Sequence, residues 1–255
     1  MLTDSHAHID MPEFEKDREQ VLQRALEGGV TRIITIGIDL PSSLSALELA
    51  NKYDFIFSTI GYHPHNAKEA EESKLEELAG LGRESRVVAW GEIGLDFYRR
   101  HSPPEKQKRI FEQQLDLAAD ADLPVIIHDR DAHNEIFEIL KKKRRDSLRG
   151  VIHCFSGDYK MALAFIDMGF VISIPGTVTY KNASVVQDVA SRIPIESLLI
   201  ETDAPYLTPA PERGKRNEPF FVTYTAKKIA ELRGMDFREL ARITSENTNR
   251  LFGLP

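Results

Sequence analysis

Short β-rich runs alternate with longer helical patterns eight times along this chain, and that alternation constrains the fold more than any other feature of the sequence. The strand-like runs are Leu2 to His8, Arg32 to Gly37, Phe55 to Gly61, Val87 to Glu92, Pro124 to His128, Gly150 to His153, Gly169 to Ile174 and Ser197 to Asp203. Val125-Ile-Ile127 and Leu198-Leu-Ile200 are continuously apolar, as expected of parallel strands covered on both faces. Between them the spacing predicts helices with recognisable ends. Val21, Leu22, Ala25 and Leu26 make one apolar face that Gly28-Gly29 stops. Ser42 or Ser43 caps a helix carrying Leu44, Leu47 and Leu49. Pro103-Pro104-Glu105 opens another, which runs through Ile110, Phe111, Leu115 and Leu117 to the break before Pro124. Further helices are expected over 219–233 and 236–251. At 255 residues, with no Gly/Ser linker or shift in composition, the chain is expected to form one α/β barrel domain spanning residues 1–255.

Six potential metal ligands end these runs: His6, His8, Glu92, His128, His153 and Asp203. A parallel barrel gathers its strand ends around one mouth, so residues remote in sequence become neighbours there. A doubly wound open sheet fits the same periodicity, but it collects ligands at its switch point, whereas candidates after strands one, four, five, six and eight need a closed ring. His6 and His8 are two residues apart and share one face of their strand. Glu92 has two carboxylate oxygens and is the natural bridge between two ions about 3.5–4 Å apart; the alternative is a strand-end glutamate paired with Arg99 or Arg130. His128 and His153 would complete a second ion site, and Asp203 the first. Glu201 shares the face of Asp203 but lies deeper, where it would orient a ligand instead of binding the ion. Imidazole suits zinc, while carboxylate and water suit magnesium or manganese, so the metal identity stays open.

The N-terminus lacks a signal-peptide pattern and no apolar run approaches the roughly 20 residues of a membrane span. Together with the single Cys154, this points to a cytoplasmic protein. Cys154 follows His153 and could reach the same ion, although a buried, inert thiol is the favoured reading. A net charge of -7 argues against holding nucleic acid by bulk electrostatics, leaving only local basic patches. The run Lys141 to Arg145 closes a helical pattern and reads as a solvated helix end. Arg213, Lys215 and Arg216 lie in a Pro- and Gly-rich loop after the eighth strand and are candidate substrate contacts.

Seven motifs carry a family resemblance: Asp4-Ser-His-Ala-His8, Gly61-Tyr-His-Pro-His65, Gly91-Glu-Ile-Gly-Leu-Asp96, His128-Asp-Arg-Asp-Ala132, His153-Cys-Phe-Ser156, Glu201-Thr-Asp-Ala-Pro205 and Arg216-Asn-Glu-Pro219. Over essentially its whole length the chain resembles the TatD family of metal-dependent hydrolases, part of the wider amidohydrolase-like group of TIM barrels. Many of those relatives bridge their metals with a carbamylated lysine on the fourth strand, and Glu92 stands in that place here. The resemblance implies a deoxyribonuclease trimming 3′ ends with two divalent ions (Mg, Mn or Zn), a DNA substrate, and His63 touching the scissile phosphate. His65 and Arg130 are further expected substrate contacts, Arg130 alternatively pairing with Asp129 or Asp131. In the expected reaction a water made acidic by the ions attacks phosphorus in line and Asp203 takes its proton. The same site is compatible with ester hydrolysis on D-aminoacyl-tRNA, since the fold is silent on substrate. A metal-binding scaffold without activity, or an amidohydrolase for cyclic amides, fits less well because all six ligands are present and strand four has no lysine. The protein is expected to be a monomer that does not enter membranes.

Overall fold

Eight parallel strands, in the order β1 to β8, form one sheet in the computed structural model, which describes residues 1–145 and 147–255. The strands are β1 Leu2–Ala7, β2 Val30–Thr35, β3 Ile56–Ile60, β4 Val87–Asp96, β5 Val125–Arg130, β6 Gly150–Ile152, β7 Phe170–Ile174 and β8 Leu198–Ile200. The ring closes just beyond β8, where the Asp203 amide donates to the His6 carbonyl at 2.9 Å and the His8 amide donates to the Ala204 carbonyl at 2.7 Å. The expected TIM barrel is thus present, and its closing bonds run through three of the expected ligands.

The outer ring consists of α1 Arg18–Glu27, α2 Leu40–Lys52, α3 Glu72–Leu81, α4 Pro104–Asp120, α5 His133–Lys142, α6 Tyr159–Asp167, α7 Ser184–Arg192, α8 Val222–Arg233 and α9 Phe237–Phe252. None of the described helices is long and apolar enough to cross a membrane. Two local expectations need correction. The cap of α2 is Asp39, not a serine: its carboxylate accepts the Ser42 amide at 2.9 Å while Ser42 Oγ accepts the Asp39 amide at 3.0 Å. A carboxylate at this end suits the positive pole of the helix, and Ser42 serves as the reciprocal partner three residues on. In α1 and α2, Leu26 and Leu44 are solvent-exposed, because Val21, Leu22 and Ala25, and Ala46, Leu47 and Ala50, already fill the inward stripes.

Two apolar clusters result from strand alternation. Ile33, Ile56, Trp90, Ile127 and Ile152 point out toward the helices. Ile34, Ile36, Phe57, Ile126, Val151 and Leu199 point inward, together with Phe252 and Leu254 from the C-terminal segment. Counting two residues along the inward face from Ile126, Val151 and Leu199 reaches His128, His153 and Glu201, so the inner core continues directly into polar chemistry. Strand β4 departs from this rule. Trp90 pairs with Val125 and Ile93 with Ile127, so β4 holds one residue more than β5 between these pairs. The extra residue turns Glu92 inward although Trp90, two positions earlier, faces out. Glycine makes this possible: a Cβ at Gly91 would lie 2.5 Å from the Ile126 Cβ, and Gly94, at φ +143°, passes so close that a Cβ would lie 2.1 Å from the His128 carbonyl oxygen.

Candidate metal centre at the barrel mouth

Five of the six expected ligands, His8, Glu92, His128, His153 and Asp203, line one cavity of about 680 Å³ together with His63, His65 and Arg130, and the sixth, His6, is buried against Glu92 and Asp203. The strands supply these groups and their alternation aims them inward. His6 and His8 stand at the end of β1 and beside Asp203, because the bonds that close the ring hold the two segments together. His6 Nε2 is 3.5 Å from Glu92 Oε2 and 3.6 Å from Asp203 Oδ1, and His8 Nε2 is 3.5 Å from the same aspartate oxygen. The other oxygen of Glu92, Oε1, lies 2.7 Å from both His128 Nδ1 and His153 Nε2 and 3.5 Å from His63 Nε2. One carboxylate therefore presents each oxygen to a different set of nitrogens. The alternative pairing with Arg99 or Arg130 is not formed.

The donor set fits a divalent cation. His6 is fully buried, yet neither of its ring nitrogens makes a hydrogen bond. Buried polar nitrogens without a partner are costly and rare. Two ligand atoms each about 2.1 Å from a tetrahedral ion are about 3.4 Å apart, which matches the 3.5–3.6 Å separations around His6, His8, Glu92 and Asp203. Imidazoles and carboxylates without a thiolate are ligands for borderline or hard cations.

Electrostatics divide the groups. Burial pushes the Glu92 carboxyl up, but the charges of His153 and His63 and the hydrogen bonds from His128 and His153 prevail and hold it well below the usual carboxylate range. Burial lowers His153, and the charges of Glu92 and Glu201 outweigh it and raise the imidazole well above its ordinary value. Burial dominates at His63 and drives it down to about 3. Asp203 is raised by burial and pulled lower by the His8 hydrogen bond and the neighbouring imidazoles.

Supporting contacts set these orientations. Glu201 Oε1 lies 3.5 Å from His153 Nδ1 and accepts the Cys154 amide at 2.6 Å, and its carboxylate also stands close enough to His6 and His153 to share an ion with them. Cys154 is half-buried, and burial together with the nearby carboxylates pushes its thiol well up. The loop after β3 carries His63, whose Nδ1 accepts the His65 amide at 3.1 Å, so Nε2 bears the hydrogen and faces His128 Nδ1 at 3.2 Å and Glu92 Oε1 at 3.5 Å. Gln114 of α4 holds this loop by accepting the Tyr62 amide at 2.7 Å and donating to the Tyr62 carbonyl at 3.0 Å.

Asp96, at the last position of β4, has a role that its place in the sequence did not assign. Its Oδ2 is 2.7 Å from His65 Nε2 and 3.2 Å from His128 Nε2, and its Oδ1 accepts the Arg99 amide at 2.7 Å. The signal that could have found it is its position in the Gly91 to Asp96 motif, provided β4 is extended beyond Glu92.

Arg130 lines the cavity with its guanidinium over the Tyr98 ring at 5.0 Å, and neither expected ion pair forms; Asp129 binds His133 Nδ1 at 2.7 Å instead. Arg213, Lys215 and Arg216 are not among the cavity's lining residues. Arg216 makes a two-pronged bond to Asp17 at 2.8 and 2.7 Å, Lys215 pairs with Glu212, and Arg213 lies over Tyr180 at 4.5 Å. The Lys141 to Arg145 run is likewise engaged with α4, Lys143 and Arg145 meeting Asp116 at 2.7 and 2.8 Å.

Known proteins resemble this chain over essentially its whole length. Residues 3–253 match the family described as TatD related DNase. The chain is 44% identical over 252 residues to the uncharacterized metal-dependent hydrolase YabD of Bacillus subtilis, covering 99% of each. It is 38% identical over 256 residues to the 3'-5' ssDNA/RNA exonuclease TatD of Salmonella typhimurium, covering 98% of each. The crystal structure of YjjV, a TatD homologue from Escherichia coli, superposes with a TM-score of 0.94 at 36% identity, covering 100% of this chain and 98% of that one.

Proposed function

Because this chain belongs to the TatD-related DNase family and is a hydrolase acting on ester bonds, we propose that it cleaves phosphodiester bonds at the 3′ end of DNA with the help of two divalent ions. The observation that carries this reading is the division of Glu92, with Oε2 toward His6 and His8 and Oε1 toward His128 and His153. His6, His8, Asp203 and Glu92 would hold one ion, and His128, His153 and Glu92 the other. Bound there, divalent ions supply Lewis acidity that polarises phosphoryl oxygens and makes water a stronger acid.

The remaining work belongs to the side chains. Asp203, the most accessible of the buried acids on the ligand face, accepts the proton of the attacking water. His63 donates its Nε2 hydrogen to a phosphoryl oxygen, its tautomer set by the bond at Nδ1. Arg130 and His65 stand beside it on the cavity wall, where cationic or donor groups offset charge that develops on the phosphate.

The deciding experiment is digestion of an end-labelled single strand by the metal-reconstituted protein, resolved by length over time beside Asp203→Ala. A ladder shortening from the 3′ end, slowed about 10²- to 10⁴-fold in the variant, is the expected result. Strands left intact under magnesium, manganese and zinc would overturn the nuclease reading and direct attention to ester hydrolysis on D-aminoacyl-tRNA.

A further inference from the structure

The chain carries 7 Tyr, 13 Phe and 1 Trp, yet among the described residues the exposed aromatic side chains are Tyr98 and Tyr206, 63% and 49% accessible, and both line the metal-centre cavity. Their places in the ring are opposite. Tyr98 follows the end of β4 by two residues and lies under the guanidinium of Arg130, the last residue of β5. Tyr206 follows β8 and sets its ring edge-on to His8 at the end of β1, with centroids 6.3 Å apart. In an eight-strand ring ordered β1 to β8, the β4/β5 wall and the β8/β1 wall are half a turn apart, with the ligands between them. The walls also differ in charge. Arg99 and Arg130 are the arginines lining the cavity and both belong to the Tyr98 side, whose lining carboxylates Asp96 and Asp129 are already bound by His65, His128 and His133, whereas Tyr206 is accompanied by Met11, Leu207 and the expected ligand Asp203.

Both exposed rings open onto the one mouth that holds the expected ligands, where each presents a flat apolar surface to whatever enters the cavity. Unpaired nucleobases present flat π faces, and stacking on an aromatic side chain is tolerant of sequence. We propose that the two walls are distinct subsites for a single-stranded 3′ end: the terminal nucleoside stacks on Tyr206, the preceding base stacks on Tyr98, and the phosphates of the continuing strand run past Arg130 and Arg99. The direction follows from charge. The continuing strand brings a phosphate with every residue and belongs on the cationic wall, while the terminal nucleoside has none beyond the bond at the ligands and belongs on the apolar one. In a duplex the penultimate base is stacked on both faces and cannot reach Tyr98 while its neighbour lies on the opposite wall, so the arrangement selects unpaired ends. This inference rests on the nuclease reading and adds to it which residue receives which nucleotide.

The test is a cycle between residue and base. Initial rates are measured on a single strand with all bases, on one with an abasic terminal residue and on one with an abasic penultimate residue, using wild type, Tyr206→Ala and Tyr98→Ala. Wild type should lose about 5- to 100-fold in kcat/KM when either base is missing. Tyr206→Ala should lose its discrimination at the terminal position and keep it at the penultimate one, with Tyr98→Ala doing the reverse. Tyr206→Phe, which keeps the ring, should discriminate as wild type does, and Tyr206→Leu repeats the measurement if the alanine chain does not fold. Arg130→Ala should reduce the slope of log kcat/KM against log salt by about one, and an unchanged slope removes Arg130 from the path. Variants that slow all three strands equally, or swapped positional losses, would overturn the subsite assignment while leaving the nuclease intact. A wild-type protein that cleaves no strand would overturn the nuclease reading itself, and the subsites with it.

Discussion

Asp4 holds Thr202 with both carboxylate oxygens, accepting its amide at 2.9 Å and its hydroxyl at 2.6 Å across the seam between β1 and the segment after β8. Thr202 Oγ1 in turn accepts the Ala204 amide at 3.2 Å, so the residue between them, Asp203, is pinned on both sides. A buried carboxyl two positions before His6 thereby sets the height at which Asp203 meets the first group of ligands.

Asp4→Ala strands a buried amide and hydroxyl and should destabilise the fold by about 1–3 kcal/mol. It should also weaken ion binding, since Asp203 loses its anchor. Asp4→Asn keeps one acceptor and should fall between the two. Urea unfolding and ion titration of the three proteins check this; wild-type stability in the alanine variant would show that the double contact does not support the seam.

Removing the charge that faces both nitrogen sets should remove ions. Glu92→Gln preserves shape and Glu92→Ala does not, yet each should lose tight binding of at least one ion per chain by elemental analysis after dialysis. Wild-type ion content in Glu92→Ala would end the bridging assignment.

Gln114 acts on the site from outside the barrel. Its amide serves both the Tyr62 backbone and the Trp90 indole, which donates to Oε1 at 3.2 Å. Gln114→Ala leaves these buried groups without partners and should cost at least about 1–3 kcal/mol. Because Tyr62 precedes His63, turnover should fall while ion content stays at the wild-type level. Denaturant unfolding beside a rate measurement would detect both effects, and an unaffected rate would separate the clamp from His63.

The ion pair between Arg216 and Asp17 gives a pH-dependent prediction. The guanidinium hydrogen bond holds the Asp17 carboxyl below its ordinary value. A depressed folded-state pKa contributes stability above the unfolded value of about 3.9, and that contribution is lost as pH falls through the folded value. Both side chains are about one-third exposed, so solvent screening limits the coupling to about 0.2–1 kcal/mol. A double-mutant cycle with Asp17→Asn and Arg216→Gln should find this coupling at pH 7 and find it fading only below about pH 3.9. Coupling that persists under stronger acid would place the interaction in packing against Phe14, over whose ring Arg216 lies at 4.6 Å.

Periodicity makes much of this protein legible in its sequence. Period-two alternation aims His6 and His8 to one side of β1, and the same parity carries the inward face from Ile126 to His128 and from Val151 to His153. Eight strand and helix repeats call for a ring, and a ring needs its strand ends together. Those inferences hold because a side chain's direction relative to its own strand is a local property of the backbone.

Register and partnership are different in kind. Glu92 faces inward because β4 carries one more residue than β5 between Trp90 and Ile93, and only pairing with β5 defines that excess. Asp96 receives His65 and His128 from β3's loop and from β5, a meeting invisible along β4 alone. Among similar-looking arginines, Arg130 reaches the mouth while Arg216 is bound by Asp17, some 199 positions away in sequence. Local pattern thus settles which residues can do chemistry and which way most strands point them. The closed barrel settles which of them meet, because contacts between distant segments depend on strand register and ring closure, which no local pattern encodes.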